Sequence, residues 1–142
     1  MTILDANILL YAYDTTSPQH AKARVWIERV FSSGDSIGMP WQSIAAFLRI
    51  STNTRLAGDR FTAEEAGRVV DLWLGQPNVR LLNPADDHWP LLRRMVIEGQ
   101  AVGPLVSDAQ LAALTIEFGG VLHTTDRDFA RFPGLRWMNP LA

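Results

Sequence analysis

Short apolar runs alternate along the chain with longer stretches in which apolar residues return at helical spacing. Residues 2–5 predict a short buried strand, and Ile8 to Tyr13 a helical turn leaving its carboxyl end. Ser17-Pro18 predicts a helix start, with Ala21, Val25 and Ile27 to Val30 as its apolar side and Ser33-Gly34 as its end. A strand over Ser36 to Met39 is closed by Pro40, and Trp41 to Ser51 follows as a helix with Ile44, Phe47 and Leu48 on one face. Thr62 with Glu65 three residues later forms a capping box, opening a helix through Val69, Val70, Trp73 and Leu74 to Gly75. Val79 to Leu82 predicts a strand. Asp86 and Asp87 then open a helix that turns Leu91, Leu92, Met95 and Val96 inward and stops at Gly99. Ser107 is the candidate N-cap for Asp108 to Phe118, before Gly119-Gly120 and strands over 121–125 and 135–138.

Strands alternating with helices across short connections predict one α/β domain over residues 1–142, a central parallel sheet with helices on both faces and no internal repeat. With 142 residues, 47% apolar and 20% charged, the chain can bury an ordinary core. No apolar window approaches the roughly 18 residues of a membrane span, and no leader pattern opens the chain, so a cytoplasmic protein without membrane attachment is expected. Zero cysteines exclude thiolate zinc and iron–sulfur sites and leave oxygen donors and three histidines for any metal. The net charge of −2 offers no global excess of positive charge for nucleic acid, although a local patch can still bind it. Lys22 is the single lysine and every other basic side chain is arginine, which suits phosphate recognition but equally reflects base composition of the gene.

Asp5 and Asn7 interrupt the greasiest run of the chain, where a buried polar group needs a partner. In parallel α/β sheets ligands gather beyond the carboxyl ends of the strands. That edge collects Asp5 after the first strand, Asp126 and Asp128 after strand 121–125, and Asp108 in the first turn of the preceding helix. Close carboxylates repel, so either a proton or a cation must relieve them, and an all-oxygen set favours Mg²⁺ or Mn²⁺. Taken singly, Asp108 or Asp128 reads equally as a cap or turn residue, and Thr124 and Thr125 as strand formers or as hydroxyls orienting a neighbouring carboxylate.

The stretches Ile3-Leu4-Asp5-Ala6-Asn7-Ile8-Leu9-Leu10, Ser107-Asp108-Ala109-Gln110-Leu111-Ala112-Ala113-Leu114 and Thr124-Thr125-Asp126-Arg127-Asp128-Phe129, in this order, resemble the PIN domain, and within it the VapC toxins of bacterial toxin–antitoxin pairs. The ending Phe132-Pro133-Gly134-Leu135-Arg136-Trp137-Met138-Asn139-Pro140 is similar to that of mycobacterial-type members. The resemblance implies a metal-dependent endoribonuclease cutting structured RNA such as transfer or ribosomal RNA with metal-activated water, restrained by a cognate antitoxin and commonly a homodimer. It implies Asp5, Asp108 and Asp126 as the catalytic and metal-binding acids, with Asn7, Thr125 and Asp128 in support. One position departs: the helix that usually carries a glutamate has Ala46 there, with Gln42 one turn earlier as a possible hydrogen-bond donor or acceptor toward bound water.

Arg49, Arg55, Arg127 and Arg131 follow elements ending near the acidic edge and are candidates for RNA backbone contact, Arg49, Arg127 and Arg131 first among them. Trp26 and Trp73 fit helix cores; Trp41, Trp89 and Trp137 have no clear assignment, and none is put forward as a base platform. His20, His88 and His123 lack metal-ligand spacing and read as structural. The alternative to a nuclease is a catalytically weak PIN fold that binds RNA or protein, motivated by Ala46. An aspartyl-phosphate phosphotransferase fits poorly, because position 7 is not acidic and no late lysine exists.

Overall fold

The computed structural model describes residues 1–142 as five parallel strands and six helices. In chain order these are β1 (Thr2–Leu4), α1 (Ala6–Tyr13), α2 (His20–Ser32), β2 (Ile37–Pro40), α3 (Trp41–Ser51), α4 (Ala63–Leu74), β3 (Val79–Leu82), α5 (His88–Glu98), α6 (Leu105–Glu117), β4 (Val121–His123) and β5 (Trp137–Met138). A 3-10 turn, Arg127–Arg131, joins the last two strands. The sheet order β3-β2-β1-β4-β5 places the first strand at the centre, with the chain building outward first on one side and then on the other.

Strand alternation sends successive residues to opposite faces, and the core divides accordingly. Leu4, Ile37 and Met39 pack with Ile8, Ile44, Phe47, Val70 and Trp73 under α1 to α4. Ile3, Leu82 and Leu122 pack with Met95, Ala109, Ala112 and Phe129 under α5 and α6. Gly38 belongs to the second face, where a Cβ would lie 2.7 Å from Leu82 Cδ1 and 3.0 Å from Ile3 Cγ1. Any larger residue there would have to displace the Leu82, Met1 and Ile3 side chains.

Most element boundaries follow the sequence signals. The Thr62 hydroxyl accepts from Glu65 N while the Glu65 carboxylate accepts from Thr62 N, completing the capping box. Two starts differ. Ser17 caps a preliminary turn, its Oγ accepting from Gln19 N at 3.1 Å, and α2 proper begins only at His20. Ser107 is not the N-cap of α6: that helix begins at Leu105 after Pro104, because Gly103, at φ +57°, supplies the left-handed turn that lets Pro104 start the helix early. Ser107 and Asp108 therefore lie inside the first turn. The strand expected over 121–125 ends at His123, which frees the two threonines after it for side-chain chemistry. No helix is long and apolar enough to cross a membrane.

Candidate metal centre at the carboxyl edge of the sheet

The sheet reverses its direction of growth between β1 and β4, and the loops leaving those two strands part there. Leu4 is in register with His123, and Asp5 N donates to the His123 carbonyl at 3.1 Å, so Asp5 and Thr124 emerge side by side. Thr124, 0% exposed, then connects three residues. Its hydroxyl donates to Asp5 Oδ2 at 2.7 Å and accepts from Asn7 Nδ2 at 3.2 Å and from Asp126 N at 3.0 Å. One donor and two acceptor positions exhaust what a hydroxyl offers. Asp5 Oδ1 accepts from Ala6 N at 2.7 Å and so caps α1. The Asp5 carboxylate and the Asn7 amide nitrogen that interrupt the opening apolar run thus have partners, all of them in this edge.

Asp108, Asp126 and Asp128 each present a carboxylate oxygen, the three lying within 4.8 Å of one another. Asp126 Oδ1 also accepts from Asp128 N at 2.9 Å, which fixes the short turn carrying both acids. Asp5, expected as a ligand, is not one of this trio, whereas Asp128, expected only in support, is; Asp5 still acts electrostatically on Asp108, and Asp126 on Asp5. The consequences for protonation follow. Burial, reinforced by Asp126, Asp5 and Asp128 and opposed by Arg131, pushes the Asp108 carboxyl up to about 6. Burial also raises Asp5, against the lowering effects of the Thr124 hydroxyl and the Ala6 amide, with Asp126 adding to the rise. Crowded carboxylates that resist ionisation are relieved by a cation. The donors here are all hard oxygens, and Asn7 Oδ1, buried beside the Thr124 hydroxyl, has no hydrogen-bond partner. Such a set fits an oxygen-preferring divalent ion.

A cleft of about 420 Å³ between α3 and α6 reaches two of these acids, lined by Asp5, Gln42, Ser43, Ala45, Ala46, Arg49, Ser107, Asp108 and Leu111. Ala46 lies on this lining, so the position where the family's glutamate is expected faces the site but brings no charge. Gln42 is engaged otherwise than expected: its Nε2 donates to the Ser107 carbonyl at 2.6 Å and ties α3 to the first turn of α6. Ser43 Oγ donates to the Leu4 carbonyl at 2.6 Å, anchoring α3 to the end of β1. Sequence reasoning missed both ties, because helix-interior Ser and Gln carry no signal of which backbone they will meet.

Of the expected supporting residues, Asn7 bonds to the Thr124 hydroxyl and Asp128 N to the Asp126 carboxylate; the hydroxyl that meets Asp5 is that of Thr124, and Thr125 makes no side-chain hydrogen bond. Arg49 lines the cleft. Arg131 reaches the Gly99 carbonyl at 3.2 Å and still exerts its charge on Asp108. Arg55 and Arg127 are exposed and pair with none of the acids. The histidines stand apart from the acids: His20 Nδ1 meets the Tyr11 carbonyl, His88 lies against Glu117, and His123 stacks on Trp26 at 5.2 Å.

A doubly wound parallel sheet with an acidic, oxygen-only site at its switch point defines the class. Residues 2–135 match the PIN domain. Ribonuclease VapC37 of Mycobacterium tuberculosis is 39% identical over 142 residues, covering 100% of this chain and 99% of the relative. Among solved structures, VapBC2 from Rickettsia felis, bound to a DNA fragment from their promoter, superposes with TM-score 0.71 at 15% identity, covering 97% of both chains. VapC20 of Mycobacterium tuberculosis, described as a sarcin–ricin loop cleaving toxin, superposes with TM-score 0.68 at 14% identity, covering 96% of this chain and 99% of that one. This chain belongs to the PIN-domain family, in its VapC-type branch.

Proposed function

We propose that the chain is a divalent-metal-dependent endoribonuclease, the toxin half of a toxin–antitoxin pair, which hydrolyses phosphodiester bonds in structured RNA of the transfer or ribosomal class. The convergence of Asp5, Asp108, Asp126 and Asp128 at one sheet edge carries this reading. It agrees with the ribonuclease name of its relative and with the RNA loop named for VapC20.

In this reading Asp108, Asp126 and Asp128, rather than the expected Asp5, Asp108 and Asp126, would hold Mg²⁺ or Mn²⁺, and Asp5 would add its charge to the same site. The ion supplies Lewis acidity toward a phosphoryl oxygen and makes water a better nucleophile near neutral pH. Thr124 keeps Asp5 and the Asp126 turn at fixed separation, and Asn7 keeps the Thr124 proton pointed at Asp5 by occupying its acceptor side. Arg49 and Arg131 reduce the repulsion that the acids exert on an incoming phosphate. A cleft of about 340 Å³, lined mainly by apolar residues such as Leu10, Tyr13, Phe47 and Phe61 with Asp14, Asp59 and Arg60 beside them, supports a place for an antitoxin segment. The VapBC2 complex is consistent with such a partner. Residence in the cytoplasm and assembly as a homodimer belong to the same reading.

Total RNA incubated with the purified chain tests it. Cleavage is expected with Mg²⁺ or Mn²⁺, none with EDTA, and none from Asp5→Asn or Asp108→Asn; cleavage indifferent to both substitutions refutes the site. Ala46 on the cleft lining favours one competing reading, a PIN fold that binds without cutting. Intact RNA binding by wild-type protein without cleavage under any divalent ion selects that alternative.

A further inference from the structure

The buried side of α3 is Ser43, Ile44, Phe47 and Ser51. On a different side lie Trp41, Ala45 and Arg49, spaced i, i+4, i+8 and all exposed. Ala45 and Arg49 line the acidic cleft. Trp41 sits one turn beyond Ala45, directly after β2, at the carboxyl edge that carries the acids. Trp41 is 50% exposed although the fold offers an aromatic cluster of Tyr13, Phe47, Phe61 and Trp73 farther along the same helix. A half-exposed tryptophan forgoes much of the burial that normally justifies the residue.

The neighbourhood of Trp41 is also held rigid. Gln42 is tied to the Ser107 carbonyl and Ser43 to the Leu4 carbonyl, so the first turn of α3 is clamped to the residue before Asp108 and to the residue before Asp5. Ala45, between Trp41 and Arg49 on this side, carries only a methyl group. The stripe spans about 12 Å at the helical rise of ~1.5 Å per residue. An aromatic face, a gap and a cation in line match a single strand of nucleic acid, whose bases stack on aromatic rings and whose phosphates pair with arginine.

We propose that Trp41 is the stacking platform for an unpaired base of the RNA substrate and that Arg49 takes a phosphate of the same strand, which fixes a splayed nucleotide beside the acidic centre. Substrates would then be cut at loops or single-stranded segments. This inference rests on the nuclease reading for its substrate, but its test does not depend on cleavage.

The full chain and its Trp41→Ala, Trp41→Phe and Trp89→Ala variants are titrated by fluorescence anisotropy with a labelled single-stranded oligoribonucleotide in low-salt buffer with EDTA, where turnover stops. Trp89, on α5 and 64% exposed, serves as the control for losing an exposed indole elsewhere. Trp41→Ala is expected to weaken binding by about ten- to a hundredfold, the range for losing one base–aromatic stack. Trp41→Phe should recover most of this, and Trp89→Ala should match wild type. Under Mg²⁺ or Mn²⁺, Trp41→Ala should raise KM more than it lowers kcat. Equal binding by wild type and Trp41→Ala, no recovery with phenylalanine, or no RNA binding by wild type overturns the proposal. So does an unchanged affinity with an altered mass in solution, which assigns Trp41 to a protein interface. Absence of metal-dependent cleavage removes the nuclease reading instead, while the anisotropy comparison still decides the role of Trp41.

Discussion

Thr124 Oγ1 donates to Asp5 Oδ2 at 2.7 Å across 119 positions of sequence, and this bond joins the ends of the chain at the centre of the sheet. Thr124→Val keeps the shape and removes the hydroxyl, leaving Asp5, Asn7 and the Asp126 amide without their common partner. Stability should fall by about 1–3 kcal/mol, the cost of unsatisfied buried polar groups. Cleavage should fall by roughly ten- to a hundredfold, as when an acidic ligand loses its orienting hydrogen bond. Thr124→Ser should keep most of both. Chemical denaturation and single-turnover cleavage measure the two effects.

The raised Asp108 carboxyl gives a pH dependence whose sign is opposite to that of a salt-bridged acid. Its folded value of about 6 lies above the ordinary 3.8, so between these the native state holds the proton more tightly than the unfolded chain. Stability from this group is full below about pH 3.8 and is lost as pH rises through about 6. Asp5, raised as well, acts in the same direction. In EDTA, Asp108→Asn should therefore gain Tm relative to wild type between pH 4.5 and 7.5. Mg²⁺ or Mn²⁺ should raise the wild-type Tm increasingly with pH, by binding only the native state. A calorimetric pH series that shows parallel curves contradicts this account.

Removing one acid at a time should separate ligands from helpers. Asp108→Asn and Asp126→Asn should lower cleavage by more than the roughly hundredfold that losing a ligand's hydrogen-bond partner costs. Asp128→Asn should cost less, because Asp128 is the most exposed of the trio. Rates against metal concentration check the order, since a lost ligand should shift the curve as well as its plateau.

Ala46→Glu restores a carboxylate on the cleft lining shared with Asp5 and Asp108. Added like charge should lower the Tm in EDTA and tighten Mn²⁺ binding severalfold, because the cation then neutralises one more acid. Titration calorimetry reads the second effect, and an unchanged affinity would show that position 46 lies too far from the ion to matter.

The Thr62–Glu65 box is remote from the acids and gives a control on the fold alone. Thr62→Ala should destabilise the protein by about 1 kcal/mol, the usual value of an N-cap side chain. Cleavage of RNA at saturating metal should not change.

Much of this molecule was legible without coordinates because its signals are local. Amphipathic spacing marked α3, α4 and α5, the capping box marked the start of α4, and the apolar run at 2–4 marked the central strand. The candidate acids followed from one rule, that ligands collect at the carboxyl ends of parallel strands, and three of them do lie within 4.8 Å of one another. Which hydroxyl serves Asp5 was not readable, because Thr124 and Thr125 are equivalent as sequence and differ only in the face to which the strand end turns them. The early start of α6 depended on Gly103 adopting φ +57°, a choice that packing, not the residue alone, makes. Gln42 was free in the sequence and tied in the fold, since only the approach of α3 to α6 brings the Ser107 carbonyl to it. The sequence by itself determined the kinds and succession of the elements, the parallel character of the sheet and the kinds of oxygen available at its edge, because these depend on neighbours along the chain. The tertiary structure alone decided the distances between acids, the protonation of Asp108 and the exposure of Trp41, because electrostatic coupling and burial depend on groups that meet only when residues a hundred positions apart are brought together.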